Sequence, residues 1–409
     1  MKALNDNAHP LESLLQQHCP NGVEFKALQE LEQNKILNLG RGKIISQNDL
    51  KNCPGEYPVY SSSATKNGEI GKYGKYMFDD ERITWSIDGG GKFFYRNHLK
   101  YSVTNVCGWI KVINLDELNT KFLFYALINE WVKKKFNYTK KAHPSIIKKE
   151  YCIPLPPLEI QYKIVEILDA FTELEAELEA ELEARLKQYH YYRNKLLSFE
   201  ELQRRTDMLN GGDLKLVSLG EVCEVSSGGT PNKNKTEYWS NGTINWVKSE
   251  VCQNCYVYEN QVKEKITELG LQKSSAKLLN KNSTLIALVG ATIGKAGFLT
   301  FKSATNQNVA SLYPKDEKKL NPKFLYFASL ELYLEFEKLK GFAMANLGFI
   351  RNLKIPLPPL AVQNDIVELL DKFDTLTNDL TSGIPAEIEA RKKQYEHYRE
   401  RLLSFITKD

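Results

Sequence analysis

No stretch of this chain approaches the roughly 18 consecutive apolar residues of a membrane-spanning helix, so a membrane reading falls away. Glycine and proline are sparse, 24 and 15 among 409 residues, which excludes collagen-like and low-complexity chains. With 42% hydrophobic and 26% charged residues, the composition is that of a globular protein, and the length predicts about three domains. The opening MKALNDNAHPLESLLQQH is polar and acidic and holds no apolar block, so no secretory signal is expected and the cytoplasm is the expected location. The seven cysteines (Cys19, Cys53, Cys107, Cys152, Cys223, Cys252 and Cys255) are an odd number spread along the chain, which fits free thiols better than a disulfide framework.

Catalytic constellations are missing as well. Gly290-Ala-Thr-Ile-Gly-Lys295-Ala has one residue too few between its glycines for a phosphate loop, and Ala296 stands where a metal-binding Ser or Thr is required. Gly89-Gly-Gly-Lys92 reads as a turn, and no G-x-G-x-x-G occurs. Cys252-Gln-Asn-Cys255 has metal-ligand spacing but lacks a second pair, and the histidines (His9, His18, His98, His143, His190 and His397) lie far apart. No nucleophile has a companion base at recognisable spacing, so neither a catalytic residue nor a metal site is assigned.

What is present is segregated charge. Counting Lys and Arg against Asp and Glu, residues 1–20 carry −1, 21–150 carry +7, 151–200 carry −5, 201–210 carry 0, 211–354 carry +6 and 355–409 carry −3. Basic blocks of this size are the footprint expected of a polyanion-binding surface and are also compatible with an ordinary solvated face.

The acidic blocks repeat. Ile153-Pro-Leu-Pro-Pro-Leu158 recurs as Ile355-Pro-Leu-Pro-Pro-Leu360, and 13 of the 19 residues from Ile153 to Phe171 match Ile355 to Phe373. Further on, 10 of 15 match between Arg185–Phe199 (RLKQYHYYRNKLLSF) and Arg391–Phe405 (RKKQYEHYRERLLSF), so the second copy holds four extra residues in between. Lys121-Phe-Leu-Phe-Tyr125 likewise faces Lys323-Phe-Leu-Tyr-Phe327. A repeat of this length is a duplicated domain, not a solenoid unit.

Proline suits a helix's first turn and not its interior, so the PPL motifs predict helix entries. Beyond the first, Ile164, Leu168, Phe171, Leu174, Leu178, Leu182, Leu186 and Tyr189 recur every three or four residues, a stripe that needs a partner. The second stripe, Ile366, Leu370, Phe373, Leu376 and Leu380, meets Ser382-Gly-Ile-Pro385, where a break is expected, and resumes toward Tyr395. Mutual burial as an antiparallel coiled pair is the simplest outcome, with two separate arms packed on their own domains as the alternative. The basic blocks are mixed: Ile83–Ile87, Thr284–Val289 and Gly297–Phe301 read as strands, and Phe122–Lys135 and Pro322–Lys340 as helices.

Candidate DNA contacts follow from residue type. Lys and Arg meet phosphates, while amides and hydroxyls reach base edges. In the first block they are Lys92, Arg96 and Lys100, with His98 and Phe93-Phe94-Tyr95 among them, then Lys133, Lys134, Lys140 and Lys141, with Lys135, Tyr138 and His143. In the second they are Thr230, Lys233, Lys235, Lys248, Lys295, Asn306, Gln307, Asn308 and Arg351. Trp239 and Trp246 are expected in the core.

The IPLPPL entries, the three Glu-Leu-Glu-Ala units of Glu173–Ala184 and the R-x-K-Q-Y-x-x-Y-R-x-x-L-L-S-F endings resemble the specificity subunit of type I restriction–modification systems, most closely its type IC branch. Ser227-Gly-Gly-Thr-Pro231, followed by Glu237-Tyr-Trp239 and Ile244-Asn-Trp246, is similar to the opening of that family's target-recognition domains, an opening the first block lacks. The resemblance implies an α+β fold: two mixed α/β recognition domains separated by two long antiparallel coiled-coil helices in a pseudo-two-fold tandem repeat. The implied segments are an N-terminal helical extension over 1–20, recognition domains over 21–150 and 212–352, spacer helices over 151–199 and 353–409, and a linker over 200–211. It further implies a non-catalytic subunit that reads an asymmetric bipartite site in double-stranded DNA and docks two methyltransferase and two restriction subunits. Leu174, Leu178, Leu182, Leu186, Leu376, Leu380, Tyr189 and Tyr395 would form the helix seam. No cofactor is expected in this chain; S-adenosylmethionine would belong to the methyltransferase partner, and ATP and magnesium to the restriction partner. A stand-alone methyltransferase with a divergent site and a coiled-coil scaffold remain the alternatives.

Overall fold

The structure, a computed structural model, describes residues 17, 19–62, 66–97, 100–134, 136, 140–338, 345–378 and 382–405. Most of the 1–20 extension, together with His98, Lys135, Tyr138 and Leu380, lies outside the described residues. The chain divides into two compact units, residues 1–176 with 390–409, and residues 177–389. No described helix is long and apolar enough to cross a membrane.

Both units are built on one plan. In the first, a four-stranded sheet runs in the order Leu37–Arg41, Cys107–Val112, Arg82–Ser86, Phe93–Arg96. In the second, the corresponding order is Cys223–Ser227, Val309–Pro314, Thr284–Ala287, Ala296–Leu299, extended by Cys255–Val257. A smaller sheet accompanies each and contains one parallel pairing: Tyr57–Tyr60 with Ser102–Val103, and Ile244–Val247 with Ser303–Thr305. These strands are rich in β-branched and aromatic residues, which pack well on a pleated surface.

Each sheet leans on a helix that begins at an asparagine cap. The Asn119 side chain accepts from the backbone N–H groups of Lys121 and Phe122 ahead of helix Thr120–Trp131, and Asn321 does the same for Lys323 and Phe324 ahead of Pro322–Leu330. Such a cap satisfies donors that the helix itself leaves open, at about 1 kcal/mol.

The proline-rich motifs mark the expected helix entries. Short strands carry them in, Cys152–Pro154 pairing with Phe25–Ala27 and Lys354–Leu357 with Lys215–Ser218. Helix Leu158–Leu197 then runs 40 residues unbroken, about 60 Å at ~1.5 Å per residue. Its counterpart is interrupted, as expected, into Leu360–Asn378 and Ile384–Leu403 around Gly383. The segment 200–211, expected as a linker, is largely helical. Phe199–Met208 is helical because the Ser198 hydroxyl caps it through the Glu201 N–H and because Leu202 is fully buried.

The cores confirm the stripe at its ends. Ile160, Ile164 and Leu168 join Trp85, Phe93 and Phe122 in the first unit, and Tyr189, Ile366 and Leu370 join Phe298, Phe324 and Phe327 in the second. Tyr395 packs partly buried against the first cluster. The middle differs: Leu174, Leu178, Leu182 and Leu186 are only half-buried, and Leu376 is 39% exposed. For Leu174, Leu178 and Leu182 the physical reason is the tetrad itself. One leucine per turn among glutamates and alanines makes a seam narrower than the broad stripe that buries fully.

Candidate nucleic-acid interface

The opening loop of the second unit shows why its sequence is Ser-Gly-Gly-Thr-Pro. Strand Cys223–Ser227 pairs with Val309–Pro314, and the chain then crosses the end of strand Ser303–Thr305 in the smaller sheet. A Cβ on Gly228 would sit 1.9 Å from the Thr305 carbonyl oxygen, and one on Gly229 2.0 Å from the Ser275 hydroxyl, so only glycine passes. The Gly229 N–H donates to the Thr305 carbonyl at 2.9 Å. From the other side the Trp246 indole donates to the Gly229 carbonyl at 3.0 Å, and Trp246 meets Trp239 edge-on at 5.1 Å. The two tryptophans therefore brace the loop, with Trp246 buried as expected. The braced loop places the Thr230 hydroxyl 2.7 Å from Gln307 Oε1, to which it donates.

The first unit has an equivalent crossing that its sequence does not advertise. After strand Leu37–Arg41, a Cβ on Gly42 would lie 2.0 Å from the Val103 carbonyl oxygen, and the Lys43 N–H donates to that carbonyl at 3.2 Å. Arg41-Gly42-Lys43 thus occupies the place of the missing opening. The strand being crossed carried a signal: Ser102-Val-Thr-Asn105 and Ser303-Ala-Thr-Asn306 repeat at an offset of 201 residues.

Two further turns in each unit lie beside these crossings. The Ile87 N–H donates to the Val106 carbonyl at 3.0 Å, and the Leu288 N–H to the Asn308 carbonyl at 2.9 Å, so Val106 and Asn308 correspond. The hairpins that follow end in Gly91-Lys92 and Gly294-Lys295, both glycines at positive φ (76° and 79°), a conformation that L side chains rarely adopt. Gly290-to-Lys295 is therefore a hairpin turn. Lys295 reaches Gln253 Oε1 at 3.1 Å, and Lys92 is exposed, 5.5 Å from the Phe94 ring.

The lysine-rich segment of the first unit closes on the same turn. Lys141 pairs with Asp88 at 3.2 Å, the Ala142 N–H donates to the Ile87 carbonyl at 2.9 Å, and the Trp131 indole donates to the Gly90 carbonyl at 2.8 Å. Lys133 pairs with Glu130 at 2.7 Å and Lys140 with Glu150 at 3.1 Å, while Lys134 lies 5.2 Å from the Tyr151 ring. Lys100 covers Tyr76 and Lys233 covers Trp239, at 4.8 and 6.0 Å. Lys235 donates to the Tyr238 hydroxyl at 3.2 Å, and Lys248 is ion-paired with Glu264. Arg351 donates to the Val225 carbonyl at 3.1 Å, away from the turns. His143 caps helix Pro144–Glu150.

Two candidates sit inside the protein. Arg96 is 6% exposed, donates to Thr84 Oγ1 at 3.0 Å and to the Asn67 carbonyl at 2.5 Å, and stacks over Tyr60 at 3.5 Å. Burial pushes its guanidinium below the usual arginine range. Asn306 is buried too, its Oδ1 accepting from the Asn308 N–H at 3.1 Å, which shapes the turn that holds Gln307 outward. Cys252 is fully buried in an apolar cluster with Val247 and Val257, and desolvation pushes its thiol well up.

Comparison with known proteins agrees with this picture. The family described as the type I restriction modification DNA specificity domain matches twice, over residues 24–188 and 212–390. A type I restriction enzyme specificity subunit of Escherichia coli is 37% identical over 304 residues, covering 71% of this chain and 69% of that one. A putative type I specificity subunit of Mycoplasma pneumoniae is 31% identical over 91% of this chain and 96% of its own. Among solved structures, the S subunit of a type I restriction–modification system from M. genitalium aligns with a TM-score of 0.58 at 17% identity, covering 99% of both chains, which is a likeness of fold.

Proposed function

Because this chain belongs to the type I restriction modification DNA specificity family, as the subunit that recognises DNA sequence and not as an enzyme, we propose that each of its two units reads one half of an asymmetric, bipartite site in double-stranded DNA. The observation that carries this reading is the duplicated scaffold. Both units hold a glycine crossing at Gly42 or Gly228, a turn at 105–106 or 306–308, and a Gly-Lys hairpin at 91–92 or 294–295. One scaffold with different exposed side chains is what two related readers of different sequences require.

The helices serve as spacer and as docking surface for methyltransferase subunits. In unit 1, Phe171 stacks on Tyr398 at 5.2 Å and Glu175 pairs with Lys392 at 3.4 Å; in unit 2, Tyr192 stacks on Phe373 at 5.6 Å and the Tyr189 hydroxyl meets Asp374 at 3.4 Å. In each case rising numbers on one helix meet falling numbers on the other, which supports an antiparallel coiled pair. The three Glu-Leu-Glu-Ala units support the type IC branch. The partners in this reading are two methyltransferase subunits, which bring S-adenosylmethionine, and two restriction subunits, which bring ATP and magnesium.

Long-read methylome sequencing tests the reading. In a methylation-free host, this chain with its cognate methyltransferase subunit is expected to produce adenine methylation at a split motif that the methyltransferase alone does not produce. Deleting Glu177–Ala180 removes slightly more than one helical turn, about 6 Å, and at ~3.4 Å per base pair should shorten the gap by roughly one or two base pairs with both half-sites unchanged. A motif that stays the same length, or half-sites that change, would contradict the spacer role.

A further inference from the structure

The turn that holds Gln307 is one of the places near the crossing where the duplicated scaffolds differ in length. Ser102–Asn105 matches Ser303–Asn306, and the paired N–H contacts from Ile87 and Leu288 align Val106 with Asn308. The first unit passes from Asn105 directly to Val106, whereas the second inserts Gln307 between the corresponding residues. The inserted side chain is exposed, although its neighbour Asn306 is buried and bonded back to Asn308. It does not swing freely, because Thr230 holds its Oε1 at 2.7 Å from a loop that two glycines and Trp246 pin in place. Thr230 takes up one lone pair of Oε1, whereas the Nε2 amino group keeps both of its donors for a ligand, with no hydrogen-bond partner among the described residues.

We propose that Gln307 is a specificity-determining residue of the second half-site, that Thr230 positions it, and that it presents its amide N–H groups to the acceptor edge of a keto base, guanine or thymine, in the major groove. This rests on the DNA-reading function proposed above. A free glutamine offers both a donor and an acceptor and pairs with adenine through N6 and N7. Tying the oxygen to Thr230 leaves the donors for the base, and these match guanine O6 and N7 or thymine O4; the cytosine amino group confronts them with another donor, and adenine offers N7 only beside an N6 amino group that opposes the second amide N–H. Thr230 also removes rotameric freedom from a long side chain before DNA arrives, which lowers the ordering cost of the contact.

The test uses the full chain co-expressed with its cognate methyltransferase subunit in a methylation-free host, with the methylated motif as readout. Gln307→Ala is expected to relax one keto position in one half-site, with a loss of discrimination of roughly tenfold, while the other half-site and the gap stay unchanged. Gln307→Glu keeps an acceptor for the Thr230 hydroxyl but turns the outward group into an acceptor, so the same position should shift toward an amino base. Thr230→Val should reproduce the Gln307→Ala motif, and Thr230→Ser should restore the original, which a purely structural contact would not do. An unchanged motif in Gln307→Ala overturns the proposal, as does loss spread evenly over both half-sites. No split motif with the unaltered chain would instead remove the DNA-reading function itself.

Discussion

The side-chain oxygen of Gln161 accepts the backbone N–H of Asn119 at 2.8 Å, and its amide nitrogen donates to the carbonyls of Glu117 and Pro156, both at 2.8 Å. Gln363 repeats the set on Asn321, Lys319 and Pro358 at the same distances. Both glutamines are fully buried, and an ion pair of 2.6 Å accompanies each, Lys121 with Asp169 and Lys323 with Asp371. Each joint locks a recognition domain to its own long helix. Gln161→Leu or Gln363→Leu should cost about 2–4 kcal/mol, since three backbone groups lose their partner. Hydrogen exchange should show faster exchange over 117–125 for the first variant and over 319–327 for the second.

The glycine crossings make a second prediction. A Cβ at Gly42 or Gly228 falls about 2 Å from a carbonyl oxygen of the crossed strand, far inside van der Waals contact. Gly228→Ala should displace the 228–231 loop and expose Trp246, read as a red shift in tryptophan fluorescence and as loss of discrimination in one half-site. Gly42→Ala should affect only the other half-site.

The hairpin lysines should act through phosphate. Lys92 has no acidic partner among the described residues, and Lys295 has only the neutral Gln253 amide. Replacing either by alanine should lower the slope of log affinity against log salt by about 1 without altering the bases recognised. DNA binding of the assembled methyltransferase complex, titrated with salt, measures both effects.

A buried acid predicts a pH dependence. Asp374 is 2% exposed, and desolvation pushes its carboxyl up to about 6, while the Asn378 side chain, bonded to it at 2.9 Å, works in the opposite direction. The folded value lies above the unfolded one, so the group opposes folding when ionised; the penalty is complete above about pH 6 and fades as pH falls toward about 4. Asp374→Asn should therefore stabilise the second unit at pH 7.5 by about 1–3 kcal/mol. That gain should shrink on acidification through pH 6, as differential melting of variant and parent would show.

The sequence alone determined what local repetition and periodicity encode. The duplication, the helix entries at the two IPLPPL motifs, the unbroken first helix, the break near Gly383 and the strands at Arg82–Ser86 and Thr284–Ala287 all follow from residue spacing, and the family followed from the motifs. Charge counting placed the lysines by composition but had no means of knowing which were already paired, as Lys141 is with Asp88 and Lys248 with Glu264. Tertiary structure decided the rest, because those outcomes depend on groups far apart in the chain. Arg96 is internal because Asn67 and Tyr60 enclose it. Gly42 stands in for the missing opening because Val103 lies beneath it. The tetrad leucines stay half-buried because one leucine per turn leaves too narrow a seam, and Gln307 is oriented because Thr230, 77 residues earlier, is folded against it. Sequence periodicity records the face a side chain turns toward, whereas the partner it meets there is set by packing between elements that the sequence keeps apart.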